Sequence, residues 1–279
     1  MSSPQPIGGA CSLCGGDGIW YDEEVKIGRF GALKICPHVL DMCRCGGELP
    51  YLFWDEDSNR QPCQCATARR RLVEISSMFK GADIPSRFRW KFSNSFRMSA
   101  PGSAVPLVAA RKAMPVLEHI TALLNDDREP QRGYLFCGVP GTGKTLISCI
   151  ILNELILHRR RRGRFLNLSR KYFQQLRDTF SESSERYGQT FRIIDELCRL
   201  PYLVLDDFGV QRGTEWEMEV LYDLVDARYV DQRFTMVTTN GPVEEIQQLA
   251  GGRIYSRLVE MCYTVDMTGE DYRLFSKAE

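Results

Sequence analysis

The chain has 279 residues, of which 43% are hydrophobic and 26% are charged, as expected for a globular protein with one sizeable core and a small appendage. Its 36 basic and 36 acidic side chains give a formal net charge of zero, so any nucleic-acid binding would need local patches rather than a global field. No apolar run approaches the length of a membrane span, and residues 1–5 lack the features of a secretory signal. We therefore expect a cytoplasmic protein without a membrane partner.

The cysteines divide the chain into two parts, because seven of the 11 lie before residue 66. The other four lie in apolar stretches and are predicted to be small core residues; they are Cys137, Cys149, Cys198 and Cys262. We predict a cysteine-rich module with an amphipathic helix over residues 1–80, a linker strap over 81–107, and an α/β domain over 108–279.

The spacing of the early cysteines is typical of zinc ligands, with glycines that free the turns between them. The candidate ligands are Cys11, Cys14, Cys63 and Cys65, with Cys36, Cys43 and Cys45 as a second candidate set. His38 lies within the second set, and we interpret it as a surface residue. Zinc is favoured over disulfides because a cytoplasmic setting keeps thiols reduced. Whether one ion or two are bound stays open, and the excess of acidic over basic side chains in residues 1–68 favours docking to a protein over binding to DNA.

The region after the cysteines is predicted to contain a short amphipathic helix over residues 66–80, from the spacing of Leu72, Ile75 and Phe79. Residues 84–92 then alternate aromatic and basic side chains. Such a segment could stack single-stranded bases or pack as a strap on the following domain, and we favour the strap. Residues 95–105 are predicted to be flexible.

From residue 107 onward, helical and strand patterns alternate, which predicts a parallel sheet covered by helices on both faces. A helix is predicted over residues 109–124, and strands near 133–137, 164–168, 202–206, 234–239 and 262–265. The arginine-rich run 158–164 could contact nucleic acid, but we interpret it as a helix end with Gly163 as its cap.

One segment satisfies the pattern G-x-x-x-x-G-K-[ST], which forms the phosphate-binding loop of nucleoside-triphosphate enzymes. It consists of Gly138, Val139, Pro140, Gly141, Thr142, Gly143, Lys144 and Thr145. The glycines let backbone N–H groups surround an anion, Lys144 can reach the β/γ-phosphates, and Thr145 can ligate Mg²⁺. The sequence therefore predicts ATP and Mg²⁺ binding.

Polar side chains end two of the predicted strands. Asp206 can hold Mg²⁺ together with Thr145, and Asp207 can orient or deprotonate an attacking water. Asn240 could position the same water, or it could simply form an Asn-Gly turn with the residue that follows it.

Arg253 and Arg257 lie one turn apart on a predicted helix. An arginine in such a place can stabilise the transition state at a neighbouring subunit's γ-phosphate, although a surface role would give the same spacing.

The order of GVPGTGKT, YLVLDDFG, TTN and RIYSRL resembles the AAA+ ATPases of the initiator and helicase-loader clade. The strongest resemblance is to the DnaC-like loader family and the related IstB-like transposition helper ATPases, and it covers most of residues 63–279. It is carried further by residues 63–65, 69–71, 84–88 and 269–273.

This resemblance implies an α/β AAA+ P-loop fold with a small zinc-bound N-terminal domain. It implies no full α-helical lid, since only 22 residues follow Arg257. It also implies that Asn240 is the sensor 1 residue and that Arg257, with Arg253 nearby, is the arginine finger.

In function, the resemblance implies an ATPase that loads a replicative ring helicase onto single-stranded DNA as an ATP-bridged oligomer. Asp207 stands where most AAA+ proteins have glutamate, which suggests slow hydrolysis. Two alternatives stay open: a transposition helper, and a zinc-containing adaptor that binds nucleotide without turnover.

Overall fold

The computed structural model of this chain describes residues 11–22, 31–99, 107–168, 173, 176, 190–209 and 214–274. The chain divides into two compact units, Met1–Lys80 and Gly81–Glu279. None of the helices in the described ranges has both the length and the apolar character needed to cross a bilayer. The segment predicted to be flexible, 95–105, lies partly outside the described residues.

Two short antiparallel hairpins and two helices make up the described part of the first unit. In chain order the elements are β1 (Ile19–Tyr21), β2 (Leu33–Ile35), α1 (Pro37–Asp41), β3 (Leu52–Trp54), β4 (Arg60–Pro62) and α2 (Cys65–Gly81). β1 pairs with β2, and β3 pairs with β4. A cysteine lies directly before or at the start of each helix, so the hairpins bring sulfur atoms to the helix ends.

The helix α2 occupies the region where the sequence predicts an amphipathic helix. Its buried side chains include Ala68, Leu72, Ile75 and Phe79, which recur every three or four residues. This spacing places them on one face, and burial of that face stabilises the helix far more than intrinsic propensity would.

The second unit is built on a parallel sheet. The helices and strands whose bounds the structure describes are α3 (Val108–Asn125), β5 (Gly133–Cys137), α4 (Lys144–Arg159), β6 (Gly163–Asn167), α5 (Thr190–Arg199), β7 (Tyr202–Asp206), α6 (Glu215–Val230), β8 (Phe234–Thr239), α7 (Val243–Gln248), α8 (Arg253–Met261) and β9 (Cys262–Asp266). Short 3₁₀ turns cover Ser93–Ser95, Leu249–Gly252 and Tyr272–Leu274.

The five strands are ordered β6-β7-β8-β5-β9, and every neighbouring pair is parallel. β5, β7 and β8 are buried along their whole length, as expected for strands covered on both faces. Leu135, Leu203 and Val237 pack in one core with side chains of α5, α6 and α8. The parallel sheet predicted from the sequence is confirmed, and β8 lies between the strands that carry the phosphate loop and the aspartates.

The segment before α3 is fixed to α4 by hydrogen bonds. Asn153 Nδ2 donates to the carbonyl oxygens of Phe88 at 2.8 Å and Lys91 at 2.7 Å. Ser93 N donates to Glu154 Oε1 at 2.8 Å, and Phe92 is almost fully buried. Residues 84–93 therefore lie against the helix that follows the phosphate loop.

The prediction that Gly163 caps α4 is wrong. The capping residue is Arg160, whose φ of 51° is left-handed and whose N–H donates to Ile156 O at 3.1 Å. Gly163 instead begins β6, where a Cβ atom would lie 2.6 Å from Leu152 Cδ1 and 3.1 Å from Tyr202 Cβ. Close packing between helix and sheet, rather than backbone conformation, explains this glycine.

Candidate active site

The phosphate loop, residues 138–145, connects the end of β5 to the start of α4. Three of its glycines have positive φ angles: 140° at Gly138, 84° at Gly141 and 95° at Gly143. Side-chain-bearing residues rarely adopt this region, so the loop conformation depends on glycine. Since α4 begins at Lys144, the loop runs directly into a helix N-terminus with unpaired N–H groups. Loop and helix together form a donor set suited to a phosphate group.

Lys144 is buried at the base of this loop. Its Nζ donates to the carbonyl oxygens of Gly138 at 2.8 Å and Val139 at 2.7 Å. Burial lowers the pKa of Lys144, and the negative charges of Asp207 and Asp206 act against this lowering. An ammonium group held by neutral carbonyls binds an anionic phosphate more strongly than it binds those carbonyls.

Asp206 ends β7 and is buried beside the phosphate loop. Its Oδ1 accepts from Thr145 Oγ1 at 2.8 Å and from Thr238 Oγ1 at 2.7 Å. Burial raises the pKa of Asp206, the charge of Asp207 raises it further, and the donated hydrogen bonds counteract both. The parallel sheet explains the contact, because the carboxyl ends of β5, β7 and β8 meet at one edge.

Asp207 follows directly and points its carboxylate toward a second strand end. Asn240 Nδ2 donates to Asp207 Oδ1 at 2.8 Å, just after β8. Asp207 has a left-handed φ of 59°, which aspartate tolerates better than most residues, and its N–H donates to Thr238 Oγ1 at 3.0 Å. The structure thus brings together the loop, both aspartates and Asn240.

A further polar residue, which sequence reasoning did not select, completes this network. Asn167 ends β6, and its Nδ2 donates to Asp206 Oδ2 at 3.1 Å and to Asp207 Oδ2 at 3.0 Å. Part of the signal was available, because Asn167 is a polar side chain next to the last residue of the strand predicted near 164–168. Its neighbour in the sheet, however, could be known only from the strand order, in which β6 pairs with β7.

The donor set at Thr145 and Asp206 fits a magnesium ion. Both side chains offer oxygen atoms, the ligand type that this hard cation prefers, and they lie in direct contact beside the phosphate loop. When bound there with a nucleotide, the ion would neutralise charge on the phosphate oxygens.

The two candidate finger arginines lie on α8 against α6. Arg257 pairs with Asp226 through Nε, while its Nη2 donates to Tyr222 OH at 2.9 Å and its Nη1 to Arg253 O at 3.1 Å. Both guanidinium groups also lie over the Tyr222 ring, at 4.7 Å for Arg253 and 4.9 Å for Arg257. Within the described residues, Arg257 makes these hydrogen bonds rather than any to the phosphate loop of its own chain.

Two separate clusters of potential metal ligands lie among the described residues of the N-terminal unit. The first consists of Cys11, Cys14, Cys36 and His38, and the second of Cys43, Cys45, Cys63 and Cys65. Within each cluster all ligand atoms lie within 4.8 Å of one another. The grouping expected from the sequence, with Cys11 and Cys14 joined to Cys63 and Cys65, is therefore wrong.

The two hairpins explain the observed grouping. Cys36 N donates to Gly18 O at 2.9 Å beside the β1–β2 ladder, which returns the chain to Cys11 and Cys14. Cys63 N donates to Tyr51 O at 2.8 Å beside the β3–β4 ladder, which returns the chain to the other pair. Each hairpin therefore brings the four ligands of one cluster together. Neither cluster needs a ligand from the other.

The position of His38 also differs from its interpretation as a surface residue. Its Nδ1 lies 3.7 Å from Cys14 Sγ, because the short helix α1 begins immediately after Cys36 and carries His38 in its first turn. The first cluster therefore has three sulfur ligands and one nitrogen ligand, a frequent set for structural zinc.

The donor sets fit zinc in chemistry and spacing. Four sulfur ligands about 2.3 Å from a tetrahedral zinc ion lie about 3.8 Å apart. The sulfur–sulfur distances are 3.7 Å for Cys43–Cys45 and 3.5 Å from each of these to Cys65, and 3.7 Å for Cys11–Cys36.

Taken together, the five-stranded parallel sheet and the phosphate loop define a P-loop fold of the AAA+ class. A family model described as IstB-like ATP binding protein matches residues 129–279. The chain belongs to this family of ATP-binding proteins, since the match covers more than half of its length.

Characterised relatives extend the similarity toward the N-terminus. The chain is 26% identical over 227 residues to the replicative helicase loader DnaC of Escherichia coli strain K12, an alignment that covers 81% of this chain and 85% of that protein. It is 27% identical over 207 residues to DnaC of Buchnera aphidicola subsp. Acyrthosiphon pisum, with 74% of this chain and 78% of the relative covered.

Solved structures share the fold. The crystal structure of the DnaC helicase loader superposes with a TM-score of 0.53 at 20% identity, covering 65% of this chain and 99% of that one. AMPPCP-bound DnaA from Aquifex aeolicus superposes with a TM-score of 0.51 at 14% identity, covering 70% of this chain and 54% of that one.

Proposed function

We propose that this chain is a cytoplasmic ATPase that loads a replicative ring helicase onto single-stranded DNA. The observation that carries the proposal is the hydrogen-bonded set of Thr145, Asp206, Asp207 and Asn240 beside a phosphate loop. Similarity to the DnaC helicase loaders over most of the chain supports the choice of partner.

In the proposed reaction the phosphate loop holds the triphosphate, with Lys144 at the β/γ-phosphates. Thr145 and Asp206 hold Mg²⁺, and Asp207 orients and deprotonates the attacking water with help from Asn240. The bond between Asn240 Nδ2 and Asp207 Oδ1 supports a shared role for these side chains at one water position.

Hydrolysis in this proposal depends on assembly. Arg257, with Arg253 beside it, would reach the γ-phosphate held by a neighbouring copy, where a guanidinium group stabilises the developing charge. The attachment of Arg257 to α6 of its own chain supports a role away from its own phosphate loop. The ATP-bridged oligomer would hold single-stranded DNA, and hydrolysis would release the helicase.

The N-terminal unit would bind two zinc ions and contact the helicase. The second hairpin and the residues just before it expose apolar side chains that a folded module would otherwise bury: Leu49, before β3, is 79% exposed and Trp54, at the end of β3, is 63% exposed. Apolar groups exposed on a small metal-bound module are typical of a surface for protein partners.

A loading assay tests this proposal. The purified full chain is mixed with the ring helicase of its own organism, ATP and circular single-stranded DNA, and transfer of the closed ring to the circle is measured by displacement of an annealed oligonucleotide. We expect ATP-dependent loading by the wild type, a loss of at least about tenfold in Lys144→Ala, and wild-type loading by the control Arg192→Ala, which is exposed on α5 and lies outside the N-terminal unit. Loading by Lys144→Ala with unchanged ATP dependence would contradict the proposal.

One alternative function has a specific observation in its favour. Because the family model is described as IstB-like, the motor could serve as a transposition helper. The same assay distinguishes the two, since a helper would bind a transposase and leave the helicase unloaded. An adaptor that binds ATP without turnover would release no phosphate even with helicase and single-stranded DNA present.

A further inference from the structure

Arg69 lies beside the second cysteine cluster and donates a hydrogen bond to one of its sulfur atoms. The bond runs from Arg69 Nε to Cys65 Sγ and is 3.3 Å long. Both residues belong to α2, in which positions four apart lie on one face. The first turn of the helix therefore carries the sulfur atom, and the next turn supplies a cation to the same cluster.

Two further contacts fix the position of the Arg69 guanidinium group. A Cβ atom on Gly47 would lie 2.5 Å from Arg69 Nη2 and 2.8 Å from its Cζ, so the group packs against the turn that follows Cys45. The group also lies 5.7 Å from the centre of the Tyr51 ring, within the range of a cation–π contact. Arg69 is thus half-buried between α2, the glycine turn and the residue before β3.

The charge of the second cluster explains the use of a cation there. Four thiolates around one Zn²⁺ ion leave two excess negative charges, whereas the three thiolates and neutral imidazole of the first cluster leave one. Cys63 and Cys65 are almost fully buried, and buried charge is costly unless it is paired and hydrogen-bonded. A guanidinium group at Cys65 Sγ offsets one of the excess charges.

A second arginine of the same helix has a different task at the first cluster. Arg71 is buried, and its Nη1 donates to the main-chain oxygen of Asp17 at 2.9 Å, in the loop that follows Cys14. The main-chain N–H of Gly18 donates to Cys14 Sγ at 3.4 Å. Arg71 therefore holds the loop, whereas Arg69 contacts a sulfur atom directly. Arg70, between them, is exposed.

We propose that Arg69 is a positioning residue of the second zinc site, and that its hydrogen bond to Cys65 strengthens zinc binding by offsetting the charge of the four thiolates. The inference rests on the proposed function, because it assumes that this cluster binds zinc. Hydrogen-bond partners of metal ligands typically contribute about 10–100-fold to metal affinity.

Competition for zinc with a chromophoric chelator tests the inference on the full chain. Cys11→Ser is the starting protein, because it removes a ligand of the first cluster and leaves the second intact. In this background we expect Arg69→Ala to weaken zinc binding by about 10–100-fold. Arg69→Lys keeps the charge and should bind zinc more tightly than the neutral Arg69→Gln. The adjacent, exposed Arg70→Ala is the matched control and should leave the affinity unchanged.

Cobalt(II) in place of zinc gives a readout that a purely structural role would not change. A hydrogen bond to a thiolate lowers the energy of its lone pair, so loss of the bond should move the sulfur-to-cobalt charge-transfer band to longer wavelength. We expect this shift for Arg69→Ala and an unchanged band for Arg70→Ala.

The outcomes separate the inference from the proposed function. If the zinc affinity of Arg69→Ala stays within about threefold of the starting protein, the inference is wrong and the proposed zinc module stands. Weaker binding with an unchanged cobalt band would also contradict it, because packing would then explain the loss. If Arg69→Ala does not fold, equal zinc affinities for Arg69→Lys and Arg69→Gln would overturn the role of charge. If the wild type itself binds no zinc, the zinc module and the inference both fail.

Discussion

Thr145 Oγ1 donates to Asp206 Oδ1 at 2.8 Å, and this bond links the first turn of α4 to the carboxyl end of β7. The two residues are 61 positions apart in the sequence. They come together because of the order of the strands in the sheet. The contact joins the phosphate-binding half of the site to its acidic half.

Thr145→Ala removes the hydroxyl group that we propose as a Mg²⁺ ligand. We expect the apparent Mg²⁺ affinity in steady-state ATP turnover to fall by about 10–100-fold. Thr145→Ser keeps the hydroxyl group and serves as the matched control, with turnover close to the wild type. An unchanged Mg²⁺ titration for Thr145→Ala would place the metal elsewhere.

Asn167→Ala removes the donor shared by both aspartates. We expect kcat for ATP hydrolysis to fall by about tenfold, because a misplaced carboxylate orients water poorly. The dissociation constant for ATP is expected to change less than about threefold, since Asn167 bonds to the acids rather than to the loop. Single-turnover hydrolysis and nucleotide binding measured on the same preparation separate these effects, and an equal loss in both would indicate a purely structural role.

Mixing two inactive variants tests the proposed finger. Lys144→Ala lacks a working phosphate loop and Arg257→Ala lacks the guanidinium group, so each alone is expected to lose at least about 100-fold in turnover. In a mixture, the intact phosphate loop of Arg257→Ala can contact the intact Arg257 of Lys144→Ala. We therefore expect turnover to recover. Repeating the experiment with Arg253→Ala identifies which arginine acts. If no mixture recovers activity, the trans arrangement is wrong.

Zinc content tests the grouping of ligands in the N-terminal unit. We expect two zinc ions per chain by elemental analysis, one in each of Cys11→Ser and Cys63→Ser, and none in the double variant, because each cysteine belongs to a different cluster. The grouping expected from sequence would instead leave one ion in the double variant. Cys198→Ser, in the unit Gly81–Glu279, is the control and should keep both ions.

The pH dependence of stability is expected to involve Glu154, which accepts from Ser93 N at 2.8 Å and lies 3.3 Å from His158 Nε2. Burial raises the pKa of Glu154, but the hydrogen bonds from His158 and Ser93 outweigh it, so the pKa lies below the ordinary 4.5. Such a carboxylate stabilises the fold above its unfolded pKa and loses this contribution as the pH falls through its folded pKa.

Glu154→Gln is therefore expected to reduce the free energy of unfolding by about 1 kcal/mol at neutral pH. The difference from the wild type should narrow as the pH falls below about 4.5. Denaturant unfolding across this range measures it, with exposed Glu118→Gln on α3 as the control. A difference that stays constant with pH would show that packing, and not ionisation, is responsible.

Much of the ATP-binding unit, Gly81–Glu279, could be predicted because its signals are local. The phosphate loop is contiguous, and Asp206, Asp207 and Asn240 each follow an apolar run, so parallel-strand geometry predicts that they meet. Asn167 carries the same signal but more weakly, because β6 lies at the edge of the sheet and its partner depends on the strand order. Spacing alone could not show this neighbour.

The cysteines illustrate the opposite case. The number of cysteines predicts a metal-binding module. How they divide into two ligand clusters depends on which cysteines the two hairpins bring close together. Residues 53–61 give only a weak hairpin signal, and without it Cys63 could be paired with either cluster. The capping of α4 by Arg160 was missed for a related reason, since the nearby glycine is a more familiar cap and its packing against Leu152 is a tertiary effect.

The pairing of Arg257 with Asp226 and Tyr222 has a consequence for the isolated subunit. If Arg257 serves a neighbour, it must first leave its partners on α6, so joining two copies exchanges one set of charged contacts for another. A γ-phosphate offers more negative charge than Asp226 does, whereas an empty neighbouring loop offers none. The subunit would then favour self-association only while a neighbouring copy holds nucleotide. The contacts between Arg257 and α6 would keep the chain monomeric once that nucleotide has left.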